Sequence, residues 1–175
     1  VYAAAVDALF DELGLPSATR GAKVAKGPNV QGLLLPENEG HPATDVLIHP
    51  WAAGDPAKRW PVARWTELAR RIEAELGCSV TVTGGPGGPD AALAHRVAAA
   101  IGGTARAGET SLSPLSWAAL ARGCRLLILS DTGLAHLASE AGCRPLVLFG
   151  GSDPARYAPE RASVIDAAAM EAITT

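Results

Sequence analysis

The sequence predicts an α/β protein, a doubly wound parallel sheet preceded by a helix and a connector. Two observations and one general rule predict it. From residue 45 onward, apolar runs of four to six residues alternate with longer segments of helical periodicity. Runs such as "LLIL" and "LVLF" are apolar at every position rather than at every second one, as strands covered on both faces must be. Strands and helices that alternate in this way pair in parallel through right-handed crossovers.

Taken in order, residues 1–14 fit an amphipathic helix, with Tyr2, Val6, Leu9, Phe10 and Leu13 on one face and Gly14 as its stop. Residues 15–44 are rich in Pro, Gly and charge and read as a connector, with "VQGLLL" as one short strand inside it. "DVLIHP" opens the sheet. In "PVARWTELARRIEAELG", Pro61 suits the first helical position, Trp65, Leu68, Ala69, Ile72 and Leu76 recur at helical spacing, and Gly77 closes the helix. Strand "SVTVTGG", helix "PDAALAHRVAAAIGG", short strand "TARAGE" and helix "SPLSWAALARGC" follow. Strand "RLLILS", helix "GLAHLASEAG" and strand "PLVLFG" complete the series.

Composition limits what this sheet can serve. A chain of 175 residues with 48% apolar content can close one domain core. Its net charge of −3 argues against nucleic acid, whose binders carry a basic excess. No apolar run approaches the ~18 residues of a membrane span, and the first residues carry acids where a signal peptide has bases. The expected location is the cytoplasm, with at most peripheral membrane contact. Cys78, Cys124 and Cys143 are odd in number and lack metal-ligand spacing, so they read as small buried thiols.

In open α/β sheets, ligands bind outside the carboxyl ends of the strands. The segments that follow the strands here are "HPWAAGDPAKRWP", "TGGPGGPD", "GETSLS", "SDTG" and "GGSDPARYAP", whereas the return loops "LGCS" and "RGCR" are short and plain. One edge of the sheet is thus elaborated. Thr132 and Gly133 stand where a strand becomes a helix, so their amides face whatever binds there, which favours a phosphate. Leu134, Leu137, Ala138 and Ala141 form the expected buried stripe of that helix, leaving His136 near the same mouth. Asp131 would repel a diphosphate directly. It therefore either caps the helix or accepts hydrogen bonds from sugar hydroxyls.

The strings "LIHPWAAGDPAKRWPVARWTELARRI", "VTGGPG" and "LSDTGLAHLASEAGCRPLVLFGGSDPARYAP", in that order, resemble the donor-binding half of family 9 glycosyltransferases, the heptosyltransferase-like enzymes. The resemblance covers roughly residues 45–160. It implies a Rossmann-like half of a GT-B fold and transfer of a sugar from a nucleotide diphosphate donor such as ADP-heptose. The acceptor would be lipopolysaccharide or another cell-envelope glycan. It also implies that Lys58 holds the donor diphosphate and that Asp131, Thr132, Gly133 and His136 line the phosphate and sugar site. Gly84 and Gly85 would lie near the nucleoside, and Lys58 and His136 are the catalytic candidates. Arg59 ranks below Lys58 if its side chain points to solvent. Two departures stand out: Gly87, Gly88, Pro89 and Asp90 occupy positions where members often carry a glutamate, and Trp51 and Ala52 replace a small Gly-containing turn.

The implied chemistry is an inverting displacement at the anomeric carbon. A general base from an N-terminal acceptor domain would take the acceptor proton, and this chain alone would be inactive. On that reading residues 1–44 are the helix and linker from the acceptor domain and residues 45–175 the donor-binding domain. No carboxylate pair suggests a divalent metal, so neither metal nor cofactor is expected beyond the donor itself. A dehydrogenase or nucleotide-sugar epimerase ranks lower, because no GxGxxG follows the first strand. A non-catalytic nucleotide-sugar binding module is the other alternative.

Overall fold

The computed structural model describes residues 44–84, 88–102, 106–107 and 112–167; the expected helix over residues 1–14 and the "VQGLLL" strand lie outside them. Six strands form one sheet: β1 (Val46–His49), β2 (Val80–Val82), β3 (Arg106–Ala107), β4 (Leu126–Ser130), β5 (Leu146–Gly150) and β6 (Ser163–Ala167). Their order is β3-β2-β1-β4-β5-β6, and every pairing is parallel. This is the doubly wound order, whose direction of winding reverses between β1 and β4.

Side chains of a strand alternate between faces, so a strand buried on both needs apolar residues throughout. In β1, Val46 and Ile48 join Ile128, Leu146, Leu148 and Ile165 in one core cluster. Leu47 faces the other way with Leu127, Leu129, Val147 and Phe149. Helices α1 (Val62–Leu76) and α2 (Gly88–Ile101) cover the first face through Trp65, Leu68, Ile72, Ala94, Val97 and Ile101. Helices α3 (Pro114–Gly123) and α4 (Gly133–Glu140) cover the second through Trp117, Leu120, Ala135 and Ala138.

Local signals set most helix ends. Ser113 caps α3 by accepting from the Ser116 amide, with Pro114 behind it. Gly77 ends α1 in the left-handed conformation at φ 62°, which a side chain would resist. Pro61 is the N-cap of α1 rather than its first residue, one position from the expectation, and its carbonyl accepts from the Arg64 and Trp65 amides. Gly84 is glycine for a packing reason. A Cβ there would lie 2.7 Å from the Asp90 carbonyl oxygen and 2.9 Å from the Ala91 Cα, so its absence lets α2 begin close against the end of β2.

Two elements add to the sequence reading: α5 (Pro154–Tyr157), capped by Asp153, and edge strand β6. The segment between them changes how α4 is buried. The Arg161 amide donates to Ser139 Oγ at 3.1 Å, and the buried residues of α4 are Ala135, Ala138 and Ser139. Leu134 and Leu137 are only partly buried, which corrects the expected stripe.

Candidate functional site

The loop after β1 contains a 3-10 turn, Pro56–Lys58, started by Asp55, whose Oδ1 accepts from the Ala57 amide at 2.9 Å. Beyond the turn the side chains diverge. Trp60 is buried and meets Trp65 edge to face with ring centroids 5.0 Å apart, while Lys58 reaches across the strand ends. Its Nζ donates to Asp131 Oδ2 at 2.7 Å, and Ser152 Oγ donates to the same oxygen at 2.8 Å. Loops from β1, β4 and β5 thus meet on one carboxylate at the reversal point of the sheet. The pair is half sheltered, with Lys58 29% and Asp131 9% exposed, so the ammonium keeps a face toward solvent. A charge-assisted bond of this kind fixes geometry as much as it stabilises.

Asp131 does not cap the helix. Thr132 is the N-cap of α4 and makes no side-chain capping bond, so the ammonium and the Ser152 hydroxyl, rather than a helix amide, draw the carboxylate. The first amides of α4 have no helical acceptor by construction. A Cβ at Gly133 would meet nothing within 4 Å, so the space beside that residue is open. His136 is exposed one turn into α4 and stands outside the Lys58–Asp131–Ser152 group. Gly84 acts through its close approach to α2, and Gly85 lies outside the described residues.

Arg59 does not meet the condition of pointing to solvent, because it turns back over its own loop. Its Nε donates to the Ala52 carbonyl at 2.9 Å, a second nitrogen reaches the Gly54 carbonyl at 3.4 Å, and the guanidinium lies 3.9 Å from the centre of the Trp51 ring. Its planar fork suits two carbonyls and a flat ring together.

Beneath the site runs a buried polar chain that sequence reading missed. Trp117 Nε1 donates to Thr83 Oγ1 at 3.1 Å, and His49 Nδ1 lies 3.2 Å from the same hydroxyl. Burial lowers the His49 pKa to about 4, although Asp90 and the bond at Thr83 oppose the shift. The imidazole is therefore neutral and supports the strand ends as a hydrogen-bonded core group. No local pattern marks His49, because its partners come from β2 and α3. Cys78, Cys124 and Cys143 are all free, and burial pushes the Cys124 thiol up to about 12. Among the described residues, no three His, Cys, Asp or Glu side chains gather to hold a metal, and no helix is long and apolar enough to cross a membrane.

The family model for glycosyltransferase family 9 (heptosyltransferase) matches residues 16–171. Lipopolysaccharide heptosyltransferase 1 of Pseudomonas aeruginosa is 37% identical over 97 residues, which are 55% of this chain and 26% of that protein. The chain thus spans about a quarter of that relative's length. The structure of E. coli ADP-heptose lps heptosyltransferase II superposes with a TM-score of 0.61 at 25% identity, covering 70% of this chain and 38% of that one. E. coli heptosyltransferase WaaC with ADP gives the same score at 22% identity, over 75% of this chain and 39% of that one, and shares the fold.

Proposed function

The chain belongs to glycosyltransferase family 9, and from that membership we propose that residues 45–167 form the donor half of a heptosyltransferase-like enzyme. It takes a nucleotide diphosphate sugar, ADP-linked like the ligands of the E. coli heptosyltransferases it resembles, for transfer to lipopolysaccharide or a related envelope glycan. The observation that carries this reading is the reach of Lys58 to Asp131, the residue just before the N-cap of α4, at the reversal point of the sheet. Two unlike positive groups there address one diphosphate.

The reaction is an inverting displacement. The acceptor oxygen bonds to the anomeric carbon as the bond from that carbon to the diphosphate oxygen breaks, and the electron pair leaves with the phosphate. A general base from the acceptor half takes the acceptor proton. Lys58 and the first amides of α4, at Gly133 and Leu134, stabilise the charge that builds on the departing diphosphate, so no metal is required. Asp131 holds Lys58 in place before the donor arrives and accepts from sugar hydroxyls once it is bound. His136, exposed on the same helix, lines the sugar side.

Asp131→Asn tests this division of labour. The variant is expected to bind ADP as well as the wild type or better, since a negative charge near the phosphates is gone. Its affinity for ADP-heptose is expected to fall by about 1–2 kcal/mol, the scale of a lost charged hydrogen bond. Calorimetry with both ligands decides it; parallel changes in the two affinities would remove Asp131 from the sugar site.

A further inference from the structure

Resting on the reading of Lys58 as the diphosphate ligand, we propose that Arg59 is a positioning residue. Together with Trp51, it closes the loop after β1 into a ring that fixes where Lys58 stands. Lys58 and Arg59 are chain neighbours with opposite tasks. One crosses the strand ends to Asp131, and the other turns back over its own loop to the Ala52 and Gly54 carbonyls and the Trp51 ring.

The loop needs such a tie. It runs from Pro50 to Pro61, and within it only the short turn Pro56–Lys58 is regular. Backbone bonds from Lys58 N to the Asp55 carbonyl and from Arg59 N to the Pro56 carbonyl hold the second half together. They do not reach residues 51–54, where Gly54 turns the chain at φ 79°. The Arg59 side chain supplies that link. Its guanidinium joins residue 59 to Ala52 and Gly54, and the Trp51 ring covers its face. An untethered loop would leave the Lys58 backbone free to shift, and the donor would have to order it on binding.

Lysine at position 59 would not substitute, because an ammonium on a flexible stem neither forks to two carbonyls nor stacks as a plane. Trp51→Phe keeps an aromatic face and is the conservative change at the partner. The effect passes through Lys58, so it must vanish when Lys58 is absent. That separates positioning from a general role in stability.

The test is calorimetry of ADP and AMP on wild type, Arg59→Ala, Arg59→Lys, Trp51→Phe and Trp51→Ala, with Arg59→Ala repeated in a Lys58→Ala background and melting curves for each. Arg59→Ala and Arg59→Lys are expected to shrink the ADP-to-AMP affinity ratio by about three- to tenfold, the range for coupled neighbours. Trp51→Phe should stay near wild type and Trp51→Ala should fall between. In the Lys58→Ala background, Arg59→Ala should leave the ratio unchanged. A wild type that prefers ADP, together with an Arg59→Ala variant that prefers it equally, would overturn the positioning role and leave the donor-site reading standing. A wild type without ADP preference would overturn both. Loss of melting temperature in Arg59→Ala with the ratio intact would also count against it, as would a shrunken ratio that persists without Lys58.

Discussion

Lowering the pH from 7.5 to 4.5 is expected to cost the fold about 2–3 kcal/mol through one side chain, His49. Burial holds its pKa at about 4 in the folded chain, against 6.5 for the exposed imidazole. Between those values the unfolded chain carries the proton and the folded chain does not, so stability rises with pH. The contribution is fully present above about 6.5 and is lost as the pH falls toward about 4. Carboxylates that protonate over the same range change stability too, which makes a control necessary. His49→Gln keeps an amide for the Thr83 hydroxyl and does not titrate. Urea unfolding of both proteins across this range should show wild type losing about 2 kcal/mol more than the variant. Parallel pH profiles would show that His49 accepts a proton without leaving its pocket.

Lys58→Ala is expected to weaken ADP binding by about 1.5–3 kcal/mol, the range for a lost hydrogen bond to a charged group. The upper end applies, because the variant also leaves the Asp131 carboxylate, 9% exposed, facing the phosphates without its ammonium. The double variant Lys58→Ala with Asp131→Asn should therefore recover part of the loss. Calorimetry on the two single variants and the double supplies the cycle. A double variant that binds ADP no better than Lys58→Ala would mean that the Asp131 carboxylate does not face the phosphate that Lys58 holds.

The central strands were legible because burial on both faces forces an unbroken apolar run, as in "LLILS" and "LVLFG". Edge strand β6 was not: its sequence SVIDA buries only Ile165 and has no such run. The elaborated sheet edge was legible from where glycine and polar residues fall, and it led to Lys58 and Asp131 separately. Their union was not legible, since 73 positions separate them and only the parallel order of β1 and β4 brings their loops together. Ser152 carried no signal as a lone serine after a glycine pair. The task of Arg59 was not legible for a different reason. A charged residue beside a functional lysine looks solvated until the loop's path shows two carbonyls and a ring within its reach.

The most direct test of the donor-site account is titration of ADP and AMP into the wild-type chain, with EDTA present throughout. Lys58 and the start of α4 both address the second phosphate, so ADP should bind at least about tenfold more tightly than AMP, with no need of a divalent metal. Equal affinities for the two nucleotides would contradict the account.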